Sequence, residues 1–560
     1  MRICLLSYDI LGPIRNGGIG TAFTALATQL ADDGHDVTLA YAADYTQTLP
    51  LAAWVDHYAA RGIRLEPLYL LGSEAMQSWR AYRWLDVQAF DVVHFHEWRG
   101  LGFFAAVARR CGLGLQQTAL VCQLHSPTGW HRHHNGGFVR SEVEAEVSFM
   151  ERRSAEWADL VYSPSAYMLD WVRKEGWDLP SELACHPNLL PPDFETGAAG
   201  RSLSQVNELV FFGRLEERKG IELFCSAVRR LLRGDLRPGR VTFLGKVGDV
   251  AGGSALDWLM HATRSWDIPW QVRNDLDVLG ARDYLAQTGR LAVIASVADN
   301  SPYTVLECIA AGTPFVAADV GGIAELVAPA DRAEALFERN VEALAARLAG
   351  VLVNGARTIR PAMDFDDNIA RWRDMQFRAA ALAPRPARPA EQPLVSVCVT
   401  TFERPALLAE ALASLEAQTY PSLEVVVVDD ASTDPAACAF LDAIAPRLAA
   451  RGWTLIRHAE NSYLGASRNT AVAAAKGEFV IFLDDDNIAT PDMVERYIRA
   501  ALNTGAHIVT CQVNTFVGEG PGPGAASRIG NSCFAPRSMG GASSACPTCC
   551  STTGSARNPC

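Results

Sequence analysis

Three stretches of this sequence carry residue types that could do chemistry together. In the first, Gly213-Arg214-Leu215-Glu216-Glu217-Arg218-Lys219-Gly220 follows an apolar run, Glu208 to Phe212, and precedes an amphipathic one, Ile221 to Leu232. A strand, a glycine turn and the cations Arg214 and Lys219 at a helix start make a place for phosphate. Free N–H groups and the helix dipole favour an anion there, and Arg adds a two-pronged donor. In the second stretch, Asp299-Asn-Ser-Pro-Tyr-Thr-Val-Leu-Glu307 sets two acids around a turn, followed by Gly321-Gly322-Ile-Ala-Glu325. One acid can face sugar hydroxyls from the loop while the other faces a ribose from a helix of small residues. In the third, Asp484-Asp485-Asp486-Asn487 ends the strand-like run Gly477 to Leu483. Carboxylates stacked at a buried strand end repel one another unless a cation sits between them, and Mg²⁺ or Mn²⁺ with phosphate groups is the natural occupant.

Strands and helices must hold these residues in place. Ile3 to Tyr8 reads as a strand, Gly12 to Gly20 as a glycine-rich loop, Thr21 to Leu30 as a helix and Asp36 to Tyr41 as the next strand. That order opens a nucleotide-binding α/β sheet. A dinucleotide fingerprint fails on spacing, because the third glycine after Gly18 and Gly20 would fall at Phe23. The runs Asp91 to Trp98 and Ala119 to Pro127 read as strands ending in His96, Glu97 and His125, which share the rim where open parallel sheets bind ligands. His131-Arg-His-His134 lacks a Cys or acid at zinc spacing, so a flexible loop over an acceptor cleft is expected there. Glu142 to Ala158 reads as a helix with its acids toward solvent, and Leu189 to Ser204 as a hinge into a second lobe. Asp364 to Leu382 reads as a long helix. A proline-rich linker, 383–392, follows it.

At 560 residues the chain exceeds one ordinary core, and two to four domains are expected. Apolar residues make up 49% and charged ones 20%, a globular balance, and the net charge of −13 argues against nucleic-acid binding through bulk charge. Nine of the 14 Cys are scattered singly through residues 4–511 and read as reduced core thiols of a cytoplasmic protein. No run reaches the ~20 apolar residues of a membrane span, and no leader precedes the first strand. Attachment to the inner membrane surface stays open.

The Gly213 to Glu325 set resembles the nucleotide-sugar half of retaining GT-B glycosyltransferases, the family-4-like relatives of glycogen and starch synthases. The resemblance implies a GT-B fold of two Rossmann-like domains, 1–190 on the acceptor side and 205–382 for the donor. It implies that Arg214 and Lys219 clamp the diphosphate and that Glu307 contacts the ribose. Asp299, where the family usually has Glu, would contact the donor sugar with a shorter reach. His125 resembles the family's strand-end His near that sugar, and His96-Glu97-Trp98 its His-Asp-Trp stretch. Gly17, Gly18, Gly20, His96, Tyr303, Thr304, Val305 and Glu325 complete the implied donor site. No metal is implied for this module, and the long helix at 364–382 would cross back onto the first lobe.

Residues 394–517 resemble GT-A, family-2-like glycosyltransferases. By that resemblance Thr401, Phe402, Arg404, Asp429 and Asp430 hold a nucleoside, Arg468 and Asn469 back the site, and Asp484 with Asp486 binds Mg²⁺ or Mn²⁺. After Val517 the character changes. Residues 518–560 hold five Cys among Gly, Pro, Ser and Ala and look like an out-of-frame or disordered tail, which would leave the domain at 393–517 an incomplete GT-A nucleotide-diphospho-sugar transferase. A metal knuckle at Cys546-Pro-Thr-Cys549-Cys550 lacks a second ligand pair. The expected function is a bifunctional fusion for polysaccharide biosynthesis. Its donor is a UDP-, GDP- or ADP-sugar and its acceptor a glycan such as a cell-wall precursor. The alternatives are a nucleotide-sugar or glycan binder without transfer, and a dinucleotide-dependent epimerase, which the glycine spacing disfavours.

Overall fold

A computed structural model describes residues 1–12, 17–43, 51–135, 137–197, 202–383, 392–511 and 534–536. The chain divides into two compact units, one of residues 1–107 and 115–385, the other of residues 108–114 with those beyond 385. In the first lobe of the first unit, apolar runs form β1 (Arg2–Ser7), β2 (Asp36–Ala43), β3 (Ile63–Tyr69), β4 (Val92–His96), β5 (Ala119–Gln123), β6 (Leu160–Ser163) and β7 (Leu183–Cys185). They pair in parallel in the order β3-β2-β1-β4-β5-β6-β7. Every residue of β4 and β5 is buried, as a parallel sheet covered on both faces requires. Helices that matter for the site are α1 (Gly18–Asp32), α2 (Thr128–His134), α3 (Glu142–Glu156) and α4 (Ala166–Lys174).

The second lobe repeats the plan with β8 (Glu208–Phe212), α5 (Ile221–Leu231), β9 (Arg240–Leu244), β10 (Trp270–Arg273) and β11 (Arg290–Ile294). It continues with α6 (Tyr303–Ala310), β12 (Phe315–Ala318), α7 (Ile323–Leu326) and β13 (Leu336–Phe337). Its parallel order is β10-β9-β8-β11-β12-β13. Strand order therefore reverses between β1 and β4 in one lobe and between β8 and β11 in the other, and a crevice opens beyond the strand ends at each reversal. Each sheet separates two apolar cores. The two lobes together are a GT-B arrangement.

The long helix expected at 364–382 is α8 (Phe365–Ala381), and Asp364 caps it by accepting the N–H groups of Asp366 and Asp367. It crosses back onto the first lobe. Trp372 is buried in the first lobe's core, its ring 4.4 Å from that of Tyr162, and its indole N–H donates to the Pro187 carbonyl at 3.2 Å. Gln376 meets His94 at 2.8 Å, and Arg373 pairs with Asp33.

Two expectations about helices need correction. His131 to His134 lies in α2 and not in a flexible loop. The acids of α3 do not all face water, since Glu151 is 1% exposed. The linker at 383–392 falls almost wholly outside the described residues.

In the second unit, β14 (Val395–Thr401), β15 (Leu423–Asp429), β16 (Thr454–Arg457), β17 (Phe479–Asp484) and β18 (Phe534–Pro536) stand in the order β16-β15-β14-β17-β18. All pair in parallel except β18, which runs antiparallel to β17. Helices α9 (Pro405–Glu416), α10 (Pro435–Ala450) and α11 (Tyr463–Ala474) connect the strands. Apart from β18, residues 518–560 lie outside the described residues, as does the expectation of disorder there. Among the described residues no helix is long and apolar enough to cross a membrane, and nine cysteines are free thiols.

The burial of Trp372 sets an expectation for α8. Trp372→Ala removes a packed ring and a hydrogen bond, and should destabilise the first unit by about 3–5 kcal/mol. Urea unfolding followed by circular dichroism measures it, and a loss below about 1 kcal/mol would show that α8 is not part of the first lobe's core.

Candidate active site

Both crevices of the first unit face the same cleft, and its wall in the second lobe is cationic. The turn after β8 carries Arg214, Arg218 and Lys219. It closes on Gly220, whose φ of 76° and position leave no room for a side chain: a Cβ there would stand 1.8 Å from the Ala295 carbonyl oxygen. Lys219 Nζ lies 2.5 Å from Asp299 Oδ2, and Ser296 Oγ donates to the same oxygen at 2.9 Å. Burial opposes charge on Asp299, but Lys219 and Arg218 outweigh it and hold the carboxyl below its usual range. Burial draws the Lys219 ammonium below its ordinary pKa, with Asp299 offsetting part of that. Asp299 is thus the partner of the clamp lysine, which sequence spacing did not reveal. Arg218 was missed as a third cation. Its guanidinium sits 5.8 Å over the ring of Trp130 in α2 and 3.8 Å from Asp299.

On the opposite wall the glycine loop behaves differently from expectation. Gly17 N–H and Gly20 N–H donate to Asp9 Oδ2 at 2.7 and 3.1 Å, so a resident carboxylate takes amides expected to face phosphate. Burial raises the pKa of Asp9 even against those bonds. The loop still meets the second lobe. A Cβ on Gly17 would come within 2.9 Å of Arg214 Nη2, and one on Gly18 within 3.8 Å of the Tyr303 ring. Glycine here lets the guanidinium approach the backbone.

His96 is wholly buried beneath the rim among Tyr8, Phe23 and Trp98, and its Nε2 accepts the Tyr8 N–H at 3.2 Å. It supports the rim and does not line the cleft. His125 is held by its backbone, since its N–H and that of Ser126 donate to the Glu97 carboxylate. Burial lowers the pKa of His125 to about 4 and that of His131 to about 4, so both rings are neutral. His131, expected in a flexible loop over the acceptor cleft, feels Arg218, Lys219 and Asp299 across the cleft from within α2.

The remaining donor-site candidates divide. Glu307 on α6 makes no side-chain hydrogen bond to the described residues, and burial raises its carboxyl to about 7. Thr304 is half-buried in the first turn of α6, whereas Val305 is a core side chain. Tyr303 OH donates to the Leu189 carbonyl at 3.1 Å. Glu325 caps the first lobe's α4, accepting the N–H groups of Ala166 and Tyr167 at 2.7 and 2.8 Å. Asn300 Nδ2 donates to the His125 carbonyl at 2.7 Å, and its Oδ1 meets Ser165 Oγ. Glu325 and Asn300 therefore clasp the lobes together.

The third crevice, between β14 and β17, gathers the second unit's candidates. Asp484, at the end of β17, and Asp486, in the turn after it, are 36% and 47% exposed, whereas Asp485 between them is buried. Arg468 pairs with Asp484 at 2.7 Å, Arg404 with Asp485 at 3.4 Å and Asp486 at 3.6 Å, and Thr401 donates to Asp485 at 2.7 Å. Burial raises Asp485, and its two acidic neighbours add to that. Among the described residues no group of three metal-ligating side chains occurs, so an ion at Asp484 and Asp486 would take further ligands from outside the protein. Two outward carboxylates fit such an ion, since Mg²⁺ keeps few protein ligands. Asp430 accepts from His458 Nδ1 at 2.8 Å and Ser462 N–H at 2.9 Å, and His458 Nε2 meets Thr470 Oγ1 at 2.9 Å. Asp429 accepts the Ser432 N–H. Phe402 is exposed, and Asn469 is exposed and makes no side-chain hydrogen bond to the described residues, so no bond ties it to the cluster.

Known proteins match in three successive segments. Residues 16–188 match the family described as Glycosyltransferase Family 4, residues 206–354 Glycosyl transferases group 1, and residues 396–552 Glycosyl transferase family 2. The glycogen synthase of Mycobacterium tuberculosis is 27% identical over 422 residues, which span 68% of this chain and 94% of that relative. A succinoglycan biosynthesis protein of Rhizobium meliloti is 32% identical over 127 residues, 22% of this chain and 40% of that protein. Among solved structures, sucrose-phosphate synthase from Thermosynechococcus elongatus aligns with a TM-score of 0.48 at 17% identity, covering 68% of this chain and 94% of that one.

The buried titratable groups give the first unit a stability optimum. Burial lowers His94, His125, His131 and His186 to about 4 and His96 to about 3, and unfolding lets them bind protons below about 6.5. Their contribution is therefore lost as pH falls from about 6.5 toward 4. Burial raises Glu97 to about 8 and Glu151 and Glu307 to about 7, which favours folding only while they keep their protons. That contribution is lost as pH rises from about 4.5 to about 8. Calorimetry should find the highest Tm near pH ~6.5 and a decline toward pH ~8 that shrinks in Glu97→Gln. A Tm still rising across that alkaline range would contradict this assignment.

Proposed function

The chain joins a GT-B, family-4-like glycosyltransferase to a GT-A, family-2-like glycosyltransferase domain, and on that premise we propose a role for each residue of the two clefts. The protein transfers a sugar from a nucleotide-sugar donor. In the first module Arg214, Arg218 and Lys219 receive the donor diphosphate at the crevice between β8 and β11, beside the start of α6. Glu307 accepts hydroxyls of the ribose. Asp299 holds Lys219 in place and lies beside the sugar.

The observation that carries this reading is the convergence of three cations opposite neutral histidines. A departing diphosphate gains negative charge as the glycosidic bond breaks, and fixed cations in a cleft that excludes water stabilise that change. His125 and His131 are uncharged, so they accept or donate hydrogen bonds to sugar hydroxyls without competing for the phosphate. The clasp formed by Asn300 and Glu325 closes the cleft around the donor, with retention at the anomeric carbon. The acceptor is a glycan, such as a surface or cell-wall polysaccharide precursor.

In the second module Asp484 and Asp486 would hold Mg²⁺ or Mn²⁺, which when bound would supply positive charge for the leaving diphosphate. Arg404 and Arg468 pair with the acid cluster where that ion would sit, and Asp429 and Asp430 are set to receive a nucleoside.

Two measurements test the proposal. Arg214→Ala or Lys219→Ala should lower donor turnover by at least ~10²-fold, the scale of removing one transition-state donor. Near-normal turnover in both variants would place the chemistry elsewhere, and tight donor binding without turnover in the unaltered protein would make it a binder. For the second module, Mn²⁺ with a nucleoside diphosphate should raise the unfolding temperature of the full chain. The rise should vanish in Asp484→Ala/Asp486→Ala. An equal rise in that double variant would remove these acids from the metal assignment.

A further inference from the structure

We propose that Glu97 and Glu151 are positioning residues of the first module. In this role a buried pair of carboxylates fixes the two turns, Trp98–Gly100 and His125–Thr128, from which the first lobe's cleft residues project. Glu97 is 0% and Glu151 1% exposed, and among the described residues neither has a cation at ion-pair distance. Each is satisfied by neutral donors. Glu97 accepts His125 N–H at 2.9 and 3.0 Å and Ser126 N–H at 2.6 Å. Glu151, reaching in from α3, accepts Arg99 N–H at 2.9 Å, Thr128 N–H at 2.8 Å and the Thr128 hydroxyl at 2.6 Å. Five donors from two separate rim turns thus converge on two side chains.

Burying an acid without a counter-charge is costly, and here that cost is offset by the backbone and hydroxyl donors the two side chains gather, donors an apolar pair would leave buried and unpaired. A carboxylate can gather several N–H groups in one fan, which neutral side chains cannot do as well. The backbone of Arg99 shows what that accomplishes. It stands at φ 60°, a left-handed conformation disfavoured for Arg, with its N–H on Glu151. Its guanidinium is thereby laid 4.5 Å over the Tyr8 ring and paired with Glu74.

The second turn transmits the constraint to the cleft. His125 is held by Glu97 through its N–H, and its carbonyl accepts Asn300 Nδ2 from the second lobe at 2.7 Å. Thr128, held by Glu151, begins α2, and α2 carries His131, whose Nε2 meets Ser126 Oγ at 3.0 Å. The two carboxylates therefore decide where both neutral histidines stand when the lobes close.

The test uses the full chain with UDP-glucose, ADP-glucose and GDP-mannose as donor probes, and amide hydrogen exchange as a readout that needs no donor. Glu97→Gln keeps the volume and loses acceptor capacity, as does Glu151→Gln. Thr128→Val is a milder variant that removes one donor and keeps the fold. In all three, exchange should speed at least tenfold at residues 98–100 and 125–128 while α5 and β8 keep their rates. In the two Gln variants kcat should fall at least tenfold on any probe the unaltered protein turns over, with donor KM within threefold. Glu97→Asp, which keeps the carboxyl group but withdraws it, should recover only part of the loss. Uniform acceleration across the first unit, unchanged exchange, or full turnover with loosened turns would overturn the proposal. The turnover arm rests on the transferase reading. If the unaltered protein turns over none of the probes, that reading fails and the exchange pattern alone decides this one.

Discussion

The reversal of strand order is the constraint on which the rest of this structure depends. In each of the three sheets the first strand lies between the second and the fourth, so connections leave it on opposite faces and a gap opens beyond its end. Everything chemically interesting clusters at those gaps. Asp9 and the glycine loop lie beyond β1 with Glu97 beyond β4; Arg214 to Lys219 lie beyond β8 with Asp299 beyond β11; Thr401 to Arg404 lie beyond β14 with the acids beyond β17. The strands are mostly apolar, with candidate residues such as Thr401, Asp429 and Asp484 only at their last positions. They fix the separation of two loops that are far apart in sequence, and the loops supply the charges.

Those charges are kept in place by pairing before any ligand arrives. Lys219 rests on Asp299, Arg404 and Arg468 rest on the three aspartates, and the glycine-loop amides rest on Asp9. Unpaired charge at these depths would be costly, and each pair also presets the geometry a phosphate would meet. On the proposed reading, a donor diphosphate would exchange partners with residues already aligned. Histidines in the first cleft are neutral for a different reason: burial strips His125 of its proton, and burial together with the facing Arg218 and Lys219 does so for His131. The cleft's positive potential therefore comes from a few identified cations and not from a general excess, in a chain whose net charge is −13.

What could be read from the sequence follows from how local each signal is. The strands, the crossing helix and the phosphate-type turn at Gly213 to Gly220 are local patterns, and the structure has them where their spacing put them. The acid cluster at 484–486 was legible because three carboxylates in a row after an apolar run have few alternatives. Residues that act through distant partners were not legible. Nothing near Glu325 in the sequence indicates that it caps a helix beginning at Ala166, and nothing near Glu151 says that a carboxylate within an acidic helix turns inward. Asp9 escaped notice because its role depends on how the loop folds back, which glycine spacing does not specify. The pairing of Asp299 with Lys219 bridges two turns that neighbouring strands bring together, and only the strand order reveals that.

The return of α8 onto the first lobe has a mechanical meaning. The polypeptide passes between the lobes once between β7 and β8 and again at α8, whose Trp372, Gln376 and Arg373 are fixed to the first lobe. A single connection would let one lobe swing, twist and slide against the other. Two connections act like a door hung on two hinges, leaving one soft rotation and suppressing the rest. The clasp residues Glu325 and Asn300 then need no search to find their sockets. Rotation about that one axis would keep the cations in register with the histidines.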